Sequence, residues 1–384
     1  MQNQTQPQAA SANTISLLLG FPDPTTLDTP QFQDAVRSVM ASPRIFEALQ
    51  YGDEQGNFAL INFLIERINR EQNLSIQPDQ LMIVAGSTHA VDMIARLCAK
   101  PGGSVIVEAP TYSDSLHIFR DQGVTIHSVP VDENGIIVEA LQALLESPSA
   151  TQNPPNLLYT IPNFHNPTGF TLSAERRFQI LELACQYNLT IVEDDVYRDL
   201  AFESPNPPSF YALAGGMNAI QIGSFSKTLA PGLRLGWVVA SAELIQSFVY
   251  SGTTQMSGGA NPFVAQIVAE YCRQGHWEPH IEHLRNVYRT RRDTLLTALA
   301  RYMPSGVTWT TPMGGYFVWV TLPENVLARD IKQRAAERGV LVAAGENYFV
   351  NSTQGEHNLR LTYSFAALEE LETAVQILAE IIVG

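Results

Sequence analysis

The sequence predicts an α/β fold: a large layered domain on a mostly parallel sheet with helices on both faces, followed by a smaller α+β domain. Two observations carry this. Between about residues 80 and 240, short β-rich runs alternate with helical patterns, the arrangement that parallel crossovers require. After about Tyr271 the alternation stops, and a long polar helical stretch, a Gly-Gly-aromatic run and further helices follow.

In chain order, residues 81–84 form the first predicted strand, leading into a helix over about 89–99. A strand over 104–107 precedes a helical stretch through Leu116 and Phe119, and 157–160 is a third strand. A helix over about 174–187 leads into a strand at 189–192, and 219–222 and 237–240 read as short buried strands. Beyond these come a helix over about 278–301, a strand within 314–320, a helix over about 328–338, a strand at 359–363 and a terminal helix. That last helix places Leu368, Leu371, Val375, Leu378 and Ile382 on one face, the stripe of a core-facing helix. The segment 147–156, with three prolines and no apolar period, reads as a surface loop. The expected organisation is a disordered tail over 1–14, a segment over 15–45 joining the smaller domain, the large domain over 46–277 and the smaller domain over 278–384.

With 384 residues, 45% of them apolar and 16% charged, the chain has ample core for more than one domain. Its net charge of −15 argues against nucleic-acid or anionic-membrane partners. No apolar run approaches the length of a membrane span, and the polar tract over 1–13 has no secretory-signal pattern. Cys98, Cys185 and Cys272 lie far apart without metal-ligand spacing. Cys98 and Cys185 fall in apolar helical patterns, so buried reduced thiols and a cytoplasmic location are expected.

The most informative segment is Gly223-Ser224-Phe225-Ser226-Lys227-Thr228-Leu229-Ala230-Pro231-Gly232-Leu233-Arg234. Lys227 sits on a tight connection between two predicted strands, where an amine loses its charge readily and becomes a nucleophile toward aldehydes. Ser224, Ser226 and Arg234 are donors suited to a phosphate dianion. An amine beside a phosphate cup suggests a cofactor with an aldehyde and a phosphate, pyridoxal 5′-phosphate. Taken alone, the segment fits equally a surface lysine and a structural arginine in a Gly/Pro turn.

Three further fragments follow predicted strands. Ser87 and Thr88 open a helix, so Ser87 serves as an N-cap, and the same helix start is an anion site. Asn166-Pro167-Thr168-Gly169 is turn chemistry whose amide can reach a phenolic oxygen. In Glu193-Asp194-Asp195-Val196-Tyr197, a buried Asp194 would hold a pyridine nitrogen protonated, making the ring an electron sink. Tyr197 could bond the phenolic oxygen. Glu193 and Asp195 read as solvated carboxylates.

These fragments, in this order, identify a resemblance over nearly the whole chain to the class I/II aminotransferases, the fold-type I pyridoxal-phosphate enzymes. The resemblance implies that Lys227 forms the Schiff base with the cofactor and moves the substrate proton, and that Asp194 pairs with the pyridine nitrogen. It implies that Asn166 and Tyr197 contact the phenolic oxygen, Asn166 also bordering the substrate, and that Ser87, Thr88, Ser224, Ser226 and Arg234 hold the phosphate. Tyr112, in Ala109-Pro110-Thr111-Tyr112, matches the aromatic stacked on the cofactor ring. Arg360 matches the arginine that binds the substrate α-carboxylate, and Gly20, in Leu19-Gly20-Phe21-Pro22, the glycine lying against the substrate. Tyr51, in Leu49-Gln50-Tyr51-Gly52, matches the tyrosine that reaches the partner subunit's phosphate, which implies a homodimer with shared sites.

The implied reaction is transamination from an L-amino acid to a 2-oxo acid, with 2-oxoglutarate the family's expected acceptor, in ping-pong order. The segment 17–27 has no arginine for a second carboxylate, which favours neutral or aromatic side chains, with Arg37 and Arg44 as remaining possible contacts. A β-eliminating C–S lyase on the same scaffold would use the same residues. A non-catalytic sensory domain of the transcription-regulator type ranks last, since no basic DNA-binding module precedes Ile15. The sequence departs from the pattern of many relatives at His89 and His165, where glutamine is common, at Asp114, where glycine is frequent, and at Ile61, where arginine often stands.

Overall fold

The computed structural model describes residues 14–99 and 101–384. Thirteen of the fourteen residues assigned to the N-terminal tail therefore lie outside the described residues. Its strands in chain order are β1 (Ile15–Ser16), β2 (Leu81–Val84), β3 (Ser104–Ala109), β4 (Thr125–Asp132), β5 (Gly135–Ile136), β6 (Leu157–Thr160), β7 (Thr190–Asp194), β8 (Ala219–Ser224), β9 (Gly236–Val239), β10 (Thr308–Trp309), β11 (Phe317–Thr321), β12 (Val340–Leu341), β13 (Ala343–Ala344) and β14 (Asn358–Thr362).

Among the described residues, β2 to β9 form one eight-stranded sheet in the order β2-β9-β8-β7-β6-β3-β4-β5. Strands β4, β3, β6, β7 and β8 run parallel, β9 runs against β8, and β2 runs against β9. The carboxyl ends of β2, β3, β6, β7 and β8 therefore share one edge with the start of β9. Strands β3, β6, β7 and β8 are buried almost throughout, as unbroken apolar runs require in a sheet covered on both faces. This is the predicted α/β layering.

A second sheet, ordered β10-β11-β14-β13, is antiparallel. The N-terminal β1 pairs in parallel with β12. The chain then continues along β14, where the Thr362 amide donates to Leu17 O at 3.0 Å. This attachment carries Gly20 to the second sheet, across from the carboxyl edge of the first.

Local chemistry explains the helices. Thr29, Asn57, Ser173 and Ser241 cap Pro30–Met40, Phe58–Gln72, Ala174–Gln186 and Ala242–Val249 through their side-chain oxygens. The 26-residue helix Trp277–Tyr302 buries Trp277, Ile281, Leu284, Tyr288, Leu295 and Leu299 along one stripe.

Several expectations are corrected. Within the proposed loop 147–156, Ser147 caps a short helix, Pro148–Gln152, with proline at its first position, where a missing N–H costs nothing. The hairpin β4–β5 was missed because β4 is half-buried and polar, which hides a strand period. Cys185 is exposed and Cys98 half-buried, and only Cys272 is buried as expected for a core thiol. Leu368 is 38% exposed: it stands at the first position of Leu368–Val383, ahead of the turn where Leu371 enters the core.

Candidate active site

Strand β8 ends at Ser224, and Lys227 lies on the connection to β9. Its Nζ donates to Gly20 O at 2.9 Å and stands 5.8 Å and 5.9 Å from the ring centroids of Tyr197 and Tyr316. Tyr316 Oη donates to Lys227 O at 2.8 Å, fixing the backbone from which the amine projects. Burial, then the charge of Arg360, push the amine's pKa down to about 8 against the opposing pull of Asp194. About one amine in ten is then neutral at pH 7, where an unperturbed lysine has almost none.

Asp194 closes β7. Its Oδ2 accepts from Tyr159 Oη at 2.6 Å, while Oδ1 is buried without a hydrogen-bond partner among the described residues. Burial raises its pKa to about 6, against the hydrogen bond from Tyr159. The register explains the contact. Tyr159 pairs with Val192, so Asp194, two residues on, projects from the same face of the sheet.

Arg360 arrives from the second sheet on β14. Its guanidinium donates through Nη1 to Asn166 Oδ1 at 2.9 Å and through Nη2 to Leu18 O at 2.5 Å. It lies over the rings of Phe317 at 4.4 Å and Tyr348 at 5.1 Å, and its Nε is buried without a partner among the described residues. Trp319 is its cross-strand partner, which sets Phe317 diagonally beside it on the same sheet. Burial raises the pKa of the nearby Tyr197 phenol, while Arg360 and then Asn166 lower it in part.

A fourth group lies around Gly86. Ser224 pairs with Gly236 and Gly236 with Val84, so the ends of β8 and β2 and the start of β9 lie in one row. Gly86 has φ +84°, and a Cβ there would stand 2.6 Å from Arg234 Nη2. Arg234 therefore rests on the start of the helix Ser87–Ile94, with Ser87 half-buried and Thr88 exposed beside it. Ser224 and Ser226 are buried, and Ser224 Oγ accepts from the Ser226 amide at 3.1 Å. The N-cap is Gly86 and not Ser87: the positive φ needed to turn from β2 into the helix favours glycine, which puts Ser87 at the first helical position.

The structure thus brings together Gly20, Asn166, Asp194, Tyr197, Lys227 and Arg360, with Ser87, Thr88, Ser224, Ser226 and Arg234 along the neighbouring strand ends. Tyr112 follows β3 at the same edge and donates to Asp114 Oδ2 at 2.6 Å. Tyr51 is 79% exposed and is not joined to this group within one chain. Arg37 and Arg44 are exposed and paired with Asp34 and Glu47, so they are not placed as side-chain contacts.

Glu193 and Asp195 are buried, against the solvated reading. Glu193 accepts from the Phe210 and Tyr211 amides at 3.0 Å and 2.9 Å, capping the next short helix, and burial raises its pKa. Asp195 accepts from Asn163 at 2.6 Å, from Gln221 at 3.1 Å and from Arg198 at 3.1 Å. The departures also find structural roles. His89 Nδ1 accepts from the Ala85 amide at 3.2 Å, and Ile61 is fully buried. His165 stacks on Phe170 with 4.3 Å between centroids, its Nε2 3.0 Å from Glu108 Oε2 and its Nδ1 2.8 Å from Thr168 Oγ1, which braces the turn carrying Asn166.

Tyr159, Tyr316, Phe317 and Tyr348 escaped the sequence reading. Each looks like an ordinary core aromatic, and only the pairing of strands reveals its neighbours.

The residues present fit pyridoxal phosphate. Asp194 Oδ1 is a buried acceptor suited to a protonated ring nitrogen. The backbone N–H groups at Ser87 and Thr88, with Arg234, suit a dianion. Lys227 supplies an amine that is easily neutralised.

The family model described as "Aminotransferase class I and II" matches residues 19–378. The chain is 33% identical to aromatic-amino-acid aminotransferase 1 of Thermococcus litoralis, covering 97% of this chain and 88% of that one. It is also 33% identical to 2-aminoadipate transaminase of Thermus thermophilus, covering 96% and 90%. The crystal structure of Pyrococcus horikoshii kynurenine aminotransferase in complex with PMP superposes with a TM-score of 0.92 at 33% identity, covering 97% of this chain and 91% of that one.

Proposed function

The chain belongs to the class I and II aminotransferases and is a pyridoxal-phosphate-dependent enzyme, and on that premise we propose how its own residues divide the work. The observation that supports the assignment is the convergence of Lys227, Asp194 and Arg360 on one space at the carboxyl edge of the sheet.

Lys227 Nζ is the amine that would attach the cofactor and, once released, would move the proton between the substrate Cα and the cofactor's C4′. Tyr316 holds its backbone, and Tyr197 and Asn166 form the polar wall at the phenolic oxygen. Bound pyridoxal phosphate supplies the electron sink that stabilises negative charge at that Cα. Asp194, oriented by Tyr159, keeps its charge facing the ring nitrogen. Ser87, Thr88, Ser224, Ser226 and Arg234 hold the phosphate, and Tyr112 lies along the ring. Arg360, clamped between Phe317 and Tyr348, binds the α-carboxylate as a bidentate fork, and Gly20 borders the substrate. A Cβ at position 20 would stand 2.8 Å from Phe317 Cζ, so a larger residue there would force the Phe317 ring under Arg360 to shift.

The substrates are an L-amino acid and a 2-oxo acid, used in ping-pong order. The aromatic surfaces around Arg360 and the absence of a cation in 17–27 support a neutral or aromatic side chain. Arg360→Ala is expected to raise KM for amino and oxo acids alike by about 100-fold, with a smaller change in kcat, through the loss of two charged hydrogen bonds. A half-reaction screen across amino acids, followed by cofactor absorbance, tests both the activity and this anchor. Unchanged KM values would remove Arg360 from the carboxylate role.

The same reading divides the chain at 46–277 and 278–384, with 15–45 joined to the latter through the β1–β12 pairing. It makes the enzyme a homodimer. Met40, Phe46, Leu49, Tyr51 and Phe58 are large, exposed and close in sequence, a patch suited to burial against a second copy. Tyr51 would then reach the partner's phosphate site. Sedimentation should show a dimer, and Tyr51→Phe should weaken cofactor binding about tenfold; a monomer that binds cofactor fully would refute both. Among the described residues no helix is long and apolar enough to cross a membrane. Cysteine usage supports a cytoplasmic location, which cell fractionation checks.

A further inference from the structure

Resting on the reading of Arg360 as the carboxylate anchor, we propose that His165, held by Glu108, is a positioning residue for that anchor. It fixes the turn that carries Asn166 and through Asn166 aims the Arg360 guanidinium. Asn166 Oδ1 accepts from Arg360 Nη1 at 2.9 Å, and the guanidinium's other hold is Leu18 O. Its Nε has no partner among the described residues. Where the fork points therefore depends on where Asn166 stands.

One imidazole ties that turn across. His165 and Thr168 flank Asn166 and Pro167, and His165 Nδ1 lies 2.8 Å from Thr168 Oγ1. The Thr168 amide also donates to Nδ1, at 3.4 Å. An amide N–H can only donate, so Nδ1 is the acceptor and the ring proton sits on Nε2. Nε2 stands 3.0 Å from Glu108 Oε2, close enough for the carboxylate to act on that proton, though off the line of a hydrogen bond. The backbone closes the same turn: the His165 amide donates to Phe170 O at 2.8 Å, and the Gly169 amide to His165 O at 2.7 Å. Phe170 stacks on the imidazole only 7° from parallel, which stops the ring from swinging.

Glu108 is the fixed point of the brace. Its carboxylate reaches from β3 to the end of β6, where Thr160 Oγ1 donates to Oε1 at 2.6 Å and the Ile161 amide to Oε2 at 3.0 Å. The Glu108 and His165 side chains are both 0% exposed. An acid and an imidazole shut away from water are a poor source of stability, since packed apolar groups would serve the core as well or better. What they supply is orientation: they join the carboxyl edge of the first sheet to the turn that meets β14 of the second. The competing account is that Glu108 merely ends β6 and His165 fills a core position. That account predicts altered stability with unaltered carboxylate binding.

The test measures calorimetric binding of 3-phenylpropionate, an unreactive monocarboxylate, to the cofactor-loaded enzyme, with KM and kcat for L-phenylalanine alongside. His165→Leu should weaken the acid and raise KM about tenfold while kcat changes less than about threefold, as partial loss of a charged hydrogen bond requires. His165→Gln, which carries one donor and one acceptor, should recover most of that loss. In a double-mutant cycle, His165→Leu added to Asn166→Ala should have no further effect on acid binding, because it acts through that residue. Additive losses, an unchanged Kd in His165→Leu, or a His165→Gln enzyme as weak as His165→Leu each overturn the proposal. Should His165→Leu not fold, Thr168→Val, which removes the hydroxyl facing Nδ1, carries the same cycle with an effect of about threefold. Arg360→Ala separates the two readings. If it binds the acid like wild type, the anchor reading fails and the brace falls with it; if it loses binding and His165→Leu does not, the brace alone fails.

Discussion

Lys227→Ala is expected to abolish amino-group transfer, lowering kcat by about 10⁴-fold or more, and to remove covalent attachment of the cofactor. On the proposed mechanism one side chain performs both tasks, nucleophile and proton carrier, so both should be lost together. The variant should fold, because among the described residues the Lys227 amine makes a single hydrogen bond, to Gly20 O, and the backbone remains held by Tyr316. Absorbance of the bound cofactor before and after denaturation separates attachment from simple occupancy. A variant that exchanged amino groups at the wild-type rate would sink the mechanism. The wild-type amine should also show its perturbation directly. With a pKa near 8, the neutral form grows as pH rises, so the rate of cofactor capture by the apoenzyme should climb from pH 6.5 and level above about 8. A profile still rising steeply at pH 10 would mean an unperturbed lysine.

The second large effect is expected at Asp194. Opposite charges about 4 Å apart at moderate dielectric attract by about 4 kcal/mol before desolvation, so Asp194→Ala should lower kcat by about 10³-fold. The loss should fall on kcat and leave KM nearly unchanged, because the carboxylate acts on the ring and touches no substrate. Tyr159→Phe provides a graded control: it removes the hydrogen bond that orients Asp194 and should cost far less than removing the acid itself. An Asp194→Ala enzyme within tenfold of wild type would show that the ring nitrogen finds its charge elsewhere.

The layered sheet, the strand-end positions and the Lys227 segment were legible because they rest on local signals. Apolar runs mark buried strands, and an amine among hydroxyls and glycines has few ordinary uses. Asp194 could be singled out among three consecutive acids only by analogy, since the strand period alone does not say which faces a ligand. Its neighbours Glu193 and Asp195 were misjudged for a related reason. Their partners, the Phe210 and Tyr211 amides and Asn163, come from other parts of the chain, and nothing local announces them. The aromatic clamp on Arg360 was invisible because it exists only once β11 and β14 pair and Tyr348 folds back over them. Ser87 was misplaced by one residue because the need for a left-handed turn at Gly86 outweighed the preference of serine for a cap.

The reversed strand β9 has a consequence for assembly. Strand β2 stands at the border of the sheet with β9 as its neighbour, and Arg234, just before β9, rests on Gly86, just after β2. The two halves of the anion cup are separated by about 150 positions of sequence and meet only when this outermost strand docks. An anion held there binds the docked form alone, so by mass action it holds the border strand in place. On the proposed placement, the cofactor's phosphate would clasp the seam between β2 and β9, and cofactor loss should loosen that border.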